Sequence, residues 1–253
     1  MSRDAAILWV RRALIVASIL VIEGLCQSGI IDHRTLIPPS GMARKLAGLL
    51  VTEDMLAGIA QTFSTVGAAF LLAVSAGFCA GVVIHALPRV RRAIDPLLAS
   101  YYSIPFFVFY PLLIAVFGLN TIPLIVIGFV FAAAAMVLAT LNGLDRVPRG
   151  LTKTAKMMHL GPVQAVRLIT LPAAAPYVFT GLKLALAYAF IGVIAGEFIL
   201  SGGGLGYSIA YAYNNFDNDT MYATMLFVLT VAAAMNGILH AWERRLLQRR
   251  GLS

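Results

Sequence analysis

Residues 122–141 read IPLIVIGFVFAAAAMVLATL, twenty consecutive positions without a charge. A helix rises about 1.5 Å per residue, so a run of this length covers the roughly 30 Å hydrocarbon core of a bilayer. Outward from it, five more segments have the same character: 13–31, 57–84, 97–117, 175–200 and 221–239. The second and fifth of the six are long enough to tilt or to extend past the bilayer. Of the 253 residues, 60% are hydrophobic and only 12% charged, and the mean hydropathy is +0.88. Soluble domains are nearer half apolar and a quarter charged. These features predict an all-α polytopic membrane protein, one transmembrane domain over residues 1–253 with six spanning helices.

Charge placement orients the chain. With the N-terminus inside, the cytoplasmic side receives sixteen of the nineteen Lys and Arg residues, leaving only Arg34, Arg44 and Lys45 outside. An odd number of spans breaks this pattern, so the positive-inside rule predicts both termini in the cytoplasm. The same rule accounts for the net charge of +8 without nucleic acid. Arg11 and Arg12 ahead of an apolar run resemble a leader, but Glu23 interrupts the run and no small-residue cleavage pattern comes after it, which favours a retained first helix. Cys26 and Cys79 lie inside apolar runs and read as buried small hydrophobes. A short interfacial helix over 42–50 is expected in the outer segment beyond Pro38 and Pro39.

Several chemistries are missing. The sequence has no phosphate-binding Gly-x-x-x-x-Gly-Lys-Ser/Thr loop and no His-Glu-x-x-His or paired-cysteine pattern. Its histidines, His33, His85, His159 and His240, are scattered at predicted membrane edges. Gly202, Gly203, Gly204 and Gly206 superficially suggest a phosphate loop but fail its spacing. The chain is therefore expected to perform no covalent chemistry and to hold no cofactor or metal.

The long cytoplasmic connection, 143–174, carries the strongest positive signal. Helix formers over 151–160 stop at Gly161 and Pro162, and a second short helix over 163–170 is expected to end at Pro172. Two short helices with methionines and a basic flank suit docking into the cleft of a soluble partner. An amphipathic loop lying on anionic lipid is the alternative.

This loop resembles the signature of ABC importer permeases: Glu-Ala-Ala, three residues, Gly, nine residues, Ile-x-Leu-Pro. Anchored on Ile169, Leu171 and Pro172, the spacing places Lys153, Thr154 and Ala155 at the Glu-Ala-Ala and His159 at the glycine, with Met158, Leu160 and Gly161 beside it. Stretches on both sides of the loop are similar to the nitrate/sulfonate/taurine branch of that family. The matching pieces are Gly181-Leu182-Lys183, Ala195-Gly196-Glu197-Phe198, Gly203-Gly204-Leu205-Gly206-Tyr207, Ile94-Asp95-Pro96-Leu97, Ile104-Pro105 and Tyr110-Pro111-Leu112. Two departures stand out: Lys153 replaces an acid, and His159 replaces the glycine. The resemblance implies a type I importer permease fold in a bacterial inner membrane. It also implies cytoplasmic ATPase subunits that carry the ATP and Mg, a second permease copy or paralogue, and an external solute-binding protein. Small polar solutes are the implied cargo: nitrate, taurine, alkanesulfonates or vitamin precursors.

Ionisable and polar groups inside the membrane are candidates for the translocation path, because burying them is expensive. Glu23 is expected mid-span in the first helix, and Glu197 near the outer end of the fifth, where anchoring the glycine-rich turn is its alternative role. Tyr101, Tyr102 and Ser103 precede Pro105 in the third span, whose prolines predict a kinked helix. Asn142 closes the fourth span, and Lys183 is expected to snorkel to the inner interface. A stand-alone secondary transporter or channel is the rival reading. It is disfavoured by the small number of ionisable groups and the lack of a repeated pair of broken helices.

Overall fold

The computed structural model describes residues 3–32 and 35–248. Arg34, Arg249 and Arg250 of the charge pattern, and His33, lie outside the described residues. All regular structure described is helical. In order the helices are α1 (Arg3–Gln27), α2 (Pro39–Leu49), α3 (Glu53–Ala86), α4 (Pro88–Ser100), α5 (Tyr110–Phe117), α6 (Thr121–Asp145), α7 (Arg149–Met157), α8 (Pro162–Ala165), α9 (Leu171–Leu200), α10 (Leu205–Asn214) and α11 (Asn218–Gln248). Four stretches are long and apolar enough to cross a membrane: Glu53–Ala86, Thr121–Asp145, Val166–Ile199 and Asn218–Arg245. Shorter apolar helices, Ala13–Gln27 and Phe106–Phe117, stand where the first and third spans are predicted.

The centre of the molecule is α6, which packs most extensively against α9 on one side and α3 on the other. Lipid is as apolar as leucine, so helices in a bilayer gain little by hiding apolar area and associate through close packing of small residues. A Cβ on Gly128 of α6 would stand 2.9 Å from Ala69 Cβ of α3 and 2.9 Å from Val193 Cγ2 of α9, so all three helices converge there. A Cβ on Gly181 would stand 2.5 Å from Ala139 Cβ. Val66, Ala69, Ala73, Ala132, Met136, Ala185, Ala189 and Val193 form the core between these helices.

Four expectations need correction. Cys26 is buried, but Cys79 is exposed on α3. The third predicted span is not one kinked helix. α4 stops at Ser100, two 3₁₀ turns (Tyr101–Ser103 and Phe106–Phe109) come next, and α5 is only eight residues long. Pro105 fixes its own φ and pushes Ile104 to extended backbone (φ −83°, ψ 120°), which a helix cannot accommodate. Pro172 does not end the loop's second helix. It occupies the first turn of α9, where its missing N–H costs nothing, and α8 runs into α9 through a π-helical turn at Val166–Thr170. Glu23 is not mid-span either, because α1 ends four residues later and the chain turns at Gly29 (φ +77°).

Candidate functional site

The loop between α6 and α9 is built from α7, a tight turn, α8 and the π turn. It is the inner loop in the orientation expected from the charge pattern, and the inner and outer ends are named by that orientation. Its anchor is Ala155, which is buried, while Lys153, Thr154, Met157, Met158 and His159 face outward. Met157 is 79% exposed and Met158 63%, and Leu168 projects in the same exposed state. The turn closes with Leu160 N–H donating to Ala155 O at 3.1 Å, and Gly161 N–H donating to Gln164 Oε1 at 3.2 Å. His159 makes the reversal at φ +50°, the left-handed region that glycine enters freely. Leu160, Gly161, Ile169 and Leu171 are half-buried and Pro172 is exposed.

The helices that carry this loop are clamped at their inner ends. Arg91 of α4 grips Asp145 at the end of α6 with both guanidinium nitrogens, Nη1 donating to Oδ1 at 2.5 Å and Nη2 to Oδ2. His85 Nδ1 of α3 stands 3.2 Å from Asp145 Oδ1. The neighbouring Asp145 carboxylate raises the Arg91 pKa above its usual value. On the other side, Lys183 of α9 does more than snorkel: its Nζ meets Glu243 Oε2 of α11 at 2.5 Å. The Arg146 guanidinium covers the Tyr177 ring, 5.1 Å from its centroid.

The outer end is organised around Glu197, whose side chain is fully buried. Thr62 Oγ1 of α3 donates to the carboxylate, 2.9 Å from each oxygen, and Gly206 N–H donates to Oε2 at 3.0 Å. Thr62 Oγ1 in turn accepts from Leu205 N–H at 2.8 Å. One carboxylate thereby ties α9, α3 and the start of α10 together. The glycines of the run are required by this closeness. Gly204 sits at φ +98°, ψ 173°, and a Cβ there would fall on the Glu197 carboxylate. A Cβ on Gly203 would fall on the Gln61 amide.

The other path candidates lie on separate elements. Glu23 sits at the outer end of α1 and accepts from Ser40 N–H at 2.9 Å and from Ser40 Oγ at 2.6 Å. It caps the N-terminus of α2, where negative charge meets the free N–H groups. Tyr101 donates its hydroxyl to Val130 O in the middle of α6. Ser103 and Asn142 are exposed, and the Tyr102 side chain lies outside the described part of the structure.

A family model described as the binding-protein-dependent transport system inner membrane component matches residues 55–250, from the start of α3 to beyond the end of α11. The chain belongs to this family. It is an ABC-type permease, an integral inner-membrane component. The permease is 27% identical over 180 residues to the nitrate import permease protein of Leptolyngbya laminosa, a match covering 71% of this chain and 64% of that protein. It is 25% identical over 238 residues to a putative aliphatic sulfonates transport permease protein of Bacillus subtilis, covering 94% of this chain and 85% of that one. Among solved structures, an inward-facing methionine ABC transporter superposes with a TM-score of 0.64 at 21% identity, covering 77% of this chain and 99% of that chain. At that identity the likeness speaks to fold alone, and it agrees with the type I importer permease architecture expected from sequence.

In the permease, the contact of Glu197 with the glycine-rich turn matches its alternative role, while sequence reasoning missed Thr62 and the cavity beside it. That cavity, about 780 Å³, lies at the outer end among α3, the glycine-rich turn, α10 and the start of α11. Gln61, Tyr207, Tyr211, Asn215 and Asp217 line it. The sequence does place Tyr207, Tyr211 and Asn215 at i, i+4, i+8, one face of a helix, and that spacing was a readable signal.

Proposed function

We propose that the permease forms one half of a transmembrane dimer, with a second copy or a paralogue as the other half, in an ATP-driven importer of a small polar solute. Cytoplasmic ATPase subunits, which hold the ATP and Mg, dock on residues 149–172. ATP-driven closure of those subunits moves the docked helices, and the clamped inner ends of α6 and α9 carry the movement into the bundle. A solute-binding protein delivers cargo at the outer face, and both termini lie in the cytoplasm. Glu197 holds the outer end in shape. The cargo belongs to the class of nitrate, sulfonates, taurine or vitamin precursors.

The observation that carries this reading is the exposed Met157–Met158 pair at the tip of the loop. Two large flexible apolar side chains facing water are costly unless a partner covers them, and methionine adapts well to a partner's cleft. The left-handed His159 supports the register in which it stands at the signature glycine.

The test is affinity purification of the tagged chain in mild detergent with identification of co-purifying subunits. A stoichiometric ATPase is expected, and the double substitution Met157→Glu, Met158→Glu is expected to release it while the chain's melting temperature stays within a few degrees. Purification of the chain alone, with solute uptake into vesicles that needs no ATP, overturns the proposal.

A further inference from the structure

The outer cavity has a chemical character of its own. At about 780 Å³ it falls within the size range of small-molecule sites. Its lining contains the carboxylates of Asp54 and Asp217, the amides of Gln61 and Asn215, and the rings of Tyr207 and Tyr211. The two rings lie side by side on α10, centroids 5.9 Å apart and inclined by 35°. Among the described residues that line the cavity there is no Lys, Arg or His. Thr220 holds the Asp217 carboxyl below the usual carboxylate range, its N–H donating at 3.1 Å, and Lys45 of α2 favours the charged form from outside the lining. Both effects favour the charged form of Asp217.

Resting on the permease reading, we infer that this cavity is the outer vestibule of the translocation path, and that it takes cationic or neutral ring-bearing solutes and disfavours free anions. The Asp54 carboxylate, with that of Asp217 partly offset by Lys45, favours cations over anions at the mouth. The tyrosine faces attract a cation or stack on a planar ring. Gln61 and Asn215 supply both donors and acceptors, which suits the edge of a polar heterocycle. A site built for nitrate or a sulfonate needs the opposite equipment, a guanidinium, an ammonium or converging N–H groups. The inference narrows the cargo class toward ring-bearing, uncharged or positively charged compounds.

The test reads the vestibule's charge directly. Gly202 lines the cavity, is exposed, and a Cβ there meets nothing within 4 Å. Gly202→Cys is introduced into the full chain with Cys26→Ala and Cys79→Ala. Its reaction rate is measured with the trimethylammonium-ethyl and the sulfonato-ethyl methanethiosulfonates, each normalised to a free thiol in solution. The cationic reagent is expected to gain about tenfold over the anionic one, and Asp54→Asn with Asp217→Asn is expected to reduce that gain toward one. Benzamidine, a planar cation, is expected to protect the cysteine at concentrations where benzenesulfonate does not. Ser208→Cys provides a second position on the same lining should the first variant fold poorly. Equal normalised rates, preference for the anion, or no reaction with either reagent at both positions overturns the inference. These rates need no ATPase, so a negative result here leaves the co-purification result standing, and the converse holds too.

Discussion

The two ends of the permease are built on opposite plans. At the outer end, Glu197 is fully buried and commits its carboxylate to Thr62 and Gly206, while glycines at 203 and 204 let the chain come so close that no side chain fits between. At the inner end, the α7–α8 loop leaves Met157, Met158 and Leu168 exposed, while Ala155 is buried and α7 packs against the π turn of its own loop. The first arrangement is satisfied within the chain. The second leaves its apolar tip uncovered among the described residues, which suits the proposed docking of a partner. A buried, fully hydrogen-bonded network opens at a cost close to that of global unfolding, whereas an exposed loop with few buried contacts moves cheaply. The proposed drive from an ATPase docked on the loop fits this division, because the loop would adjust to its partner while the other end keeps its shape.

The largest expected effect comes from breaking the outer end. Gly204→Ala places a Cβ on the Glu197 carboxylate at a φ, ψ combination open essentially to glycine alone. The backbone strain costs about 1–3 kcal/mol, and the buried donors that lose Glu197 add about 1–3 kcal/mol each. The variant is expected to give little monodisperse protein in size-exclusion chromatography. Glu197→Ala, which strands the Thr62 hydroxyl and the Gly206 N–H, is expected to destabilise by on the order of 3 kcal/mol. Glu197→Gln keeps an acceptor oxygen and loses less. Wild-type melting of Gly204→Ala would place the rigid anchor elsewhere and remove the contrast between the two ends.

The contrast also explains what could be read in advance. α6 was legible because hydropathy over 122–141 depends on composition alone, and the observed helix, Thr121–Asp145, differs only at its ends. The start of α3 was readable too: Thr52 accepts from Met55 N–H at 3.4 Å, and Glu53 and Asp54 occupy the first turn, a capping pattern stronger than the hydropathy that suggested 57. The anchoring role of Glu197 was open to the sequence because Gly206 lies only nine positions on, whereas Thr62 lies 135 positions earlier and no local pattern announces that meeting. Glu23 misled for the same reason, since Ser40 lies 17 residues away across a turn. The broken third span was announced by Pro105 and Pro111, but hydropathy averages over a break and reports only the total length.

The inner loop offers a smaller effect of opposite sign. His159 holds φ +50°, and a left-handed non-glycine residue costs about 1–2 kcal/mol. His159→Gly removes that cost and loses about 0.5–1 kcal/mol through the greater freedom of glycine in the unfolded chain. A net stabilisation of about 0.5–1 kcal/mol is therefore expected, seen as a modest rise in melting temperature with ATPase association retained. Loss of association in this variant would mean that the imidazole itself touches the partner, and that the loop is less general a docking surface than its methionines suggest.

The smallest effect is a pH dependence confined to the outer corner between α10 and α11. Thr220 holds the Asp217 carboxyl below its ordinary value. A carboxyl lowered in the folded state contributes stability above its unfolded value, near 4, and loses that contribution as the pH falls through its folded value. From pH 7 to 5 the corner is expected to be unchanged. Below about 4, the protection of amides 218–221, taken relative to the intrinsic exchange rate at each pH, is expected to fall as the cap on α11 weakens. Asp217→Asn keeps a capping oxygen without the charge, so its protection should be nearly flat across the same acid range. Residues 149–172 contain no Asp or Glu, which makes the inner loop the internal control for the acid range below about 4. Acid that loosens both ends together would report global unfolding, while acid that loosens only 218–221 would locate the effect in a single carboxylate and its helix.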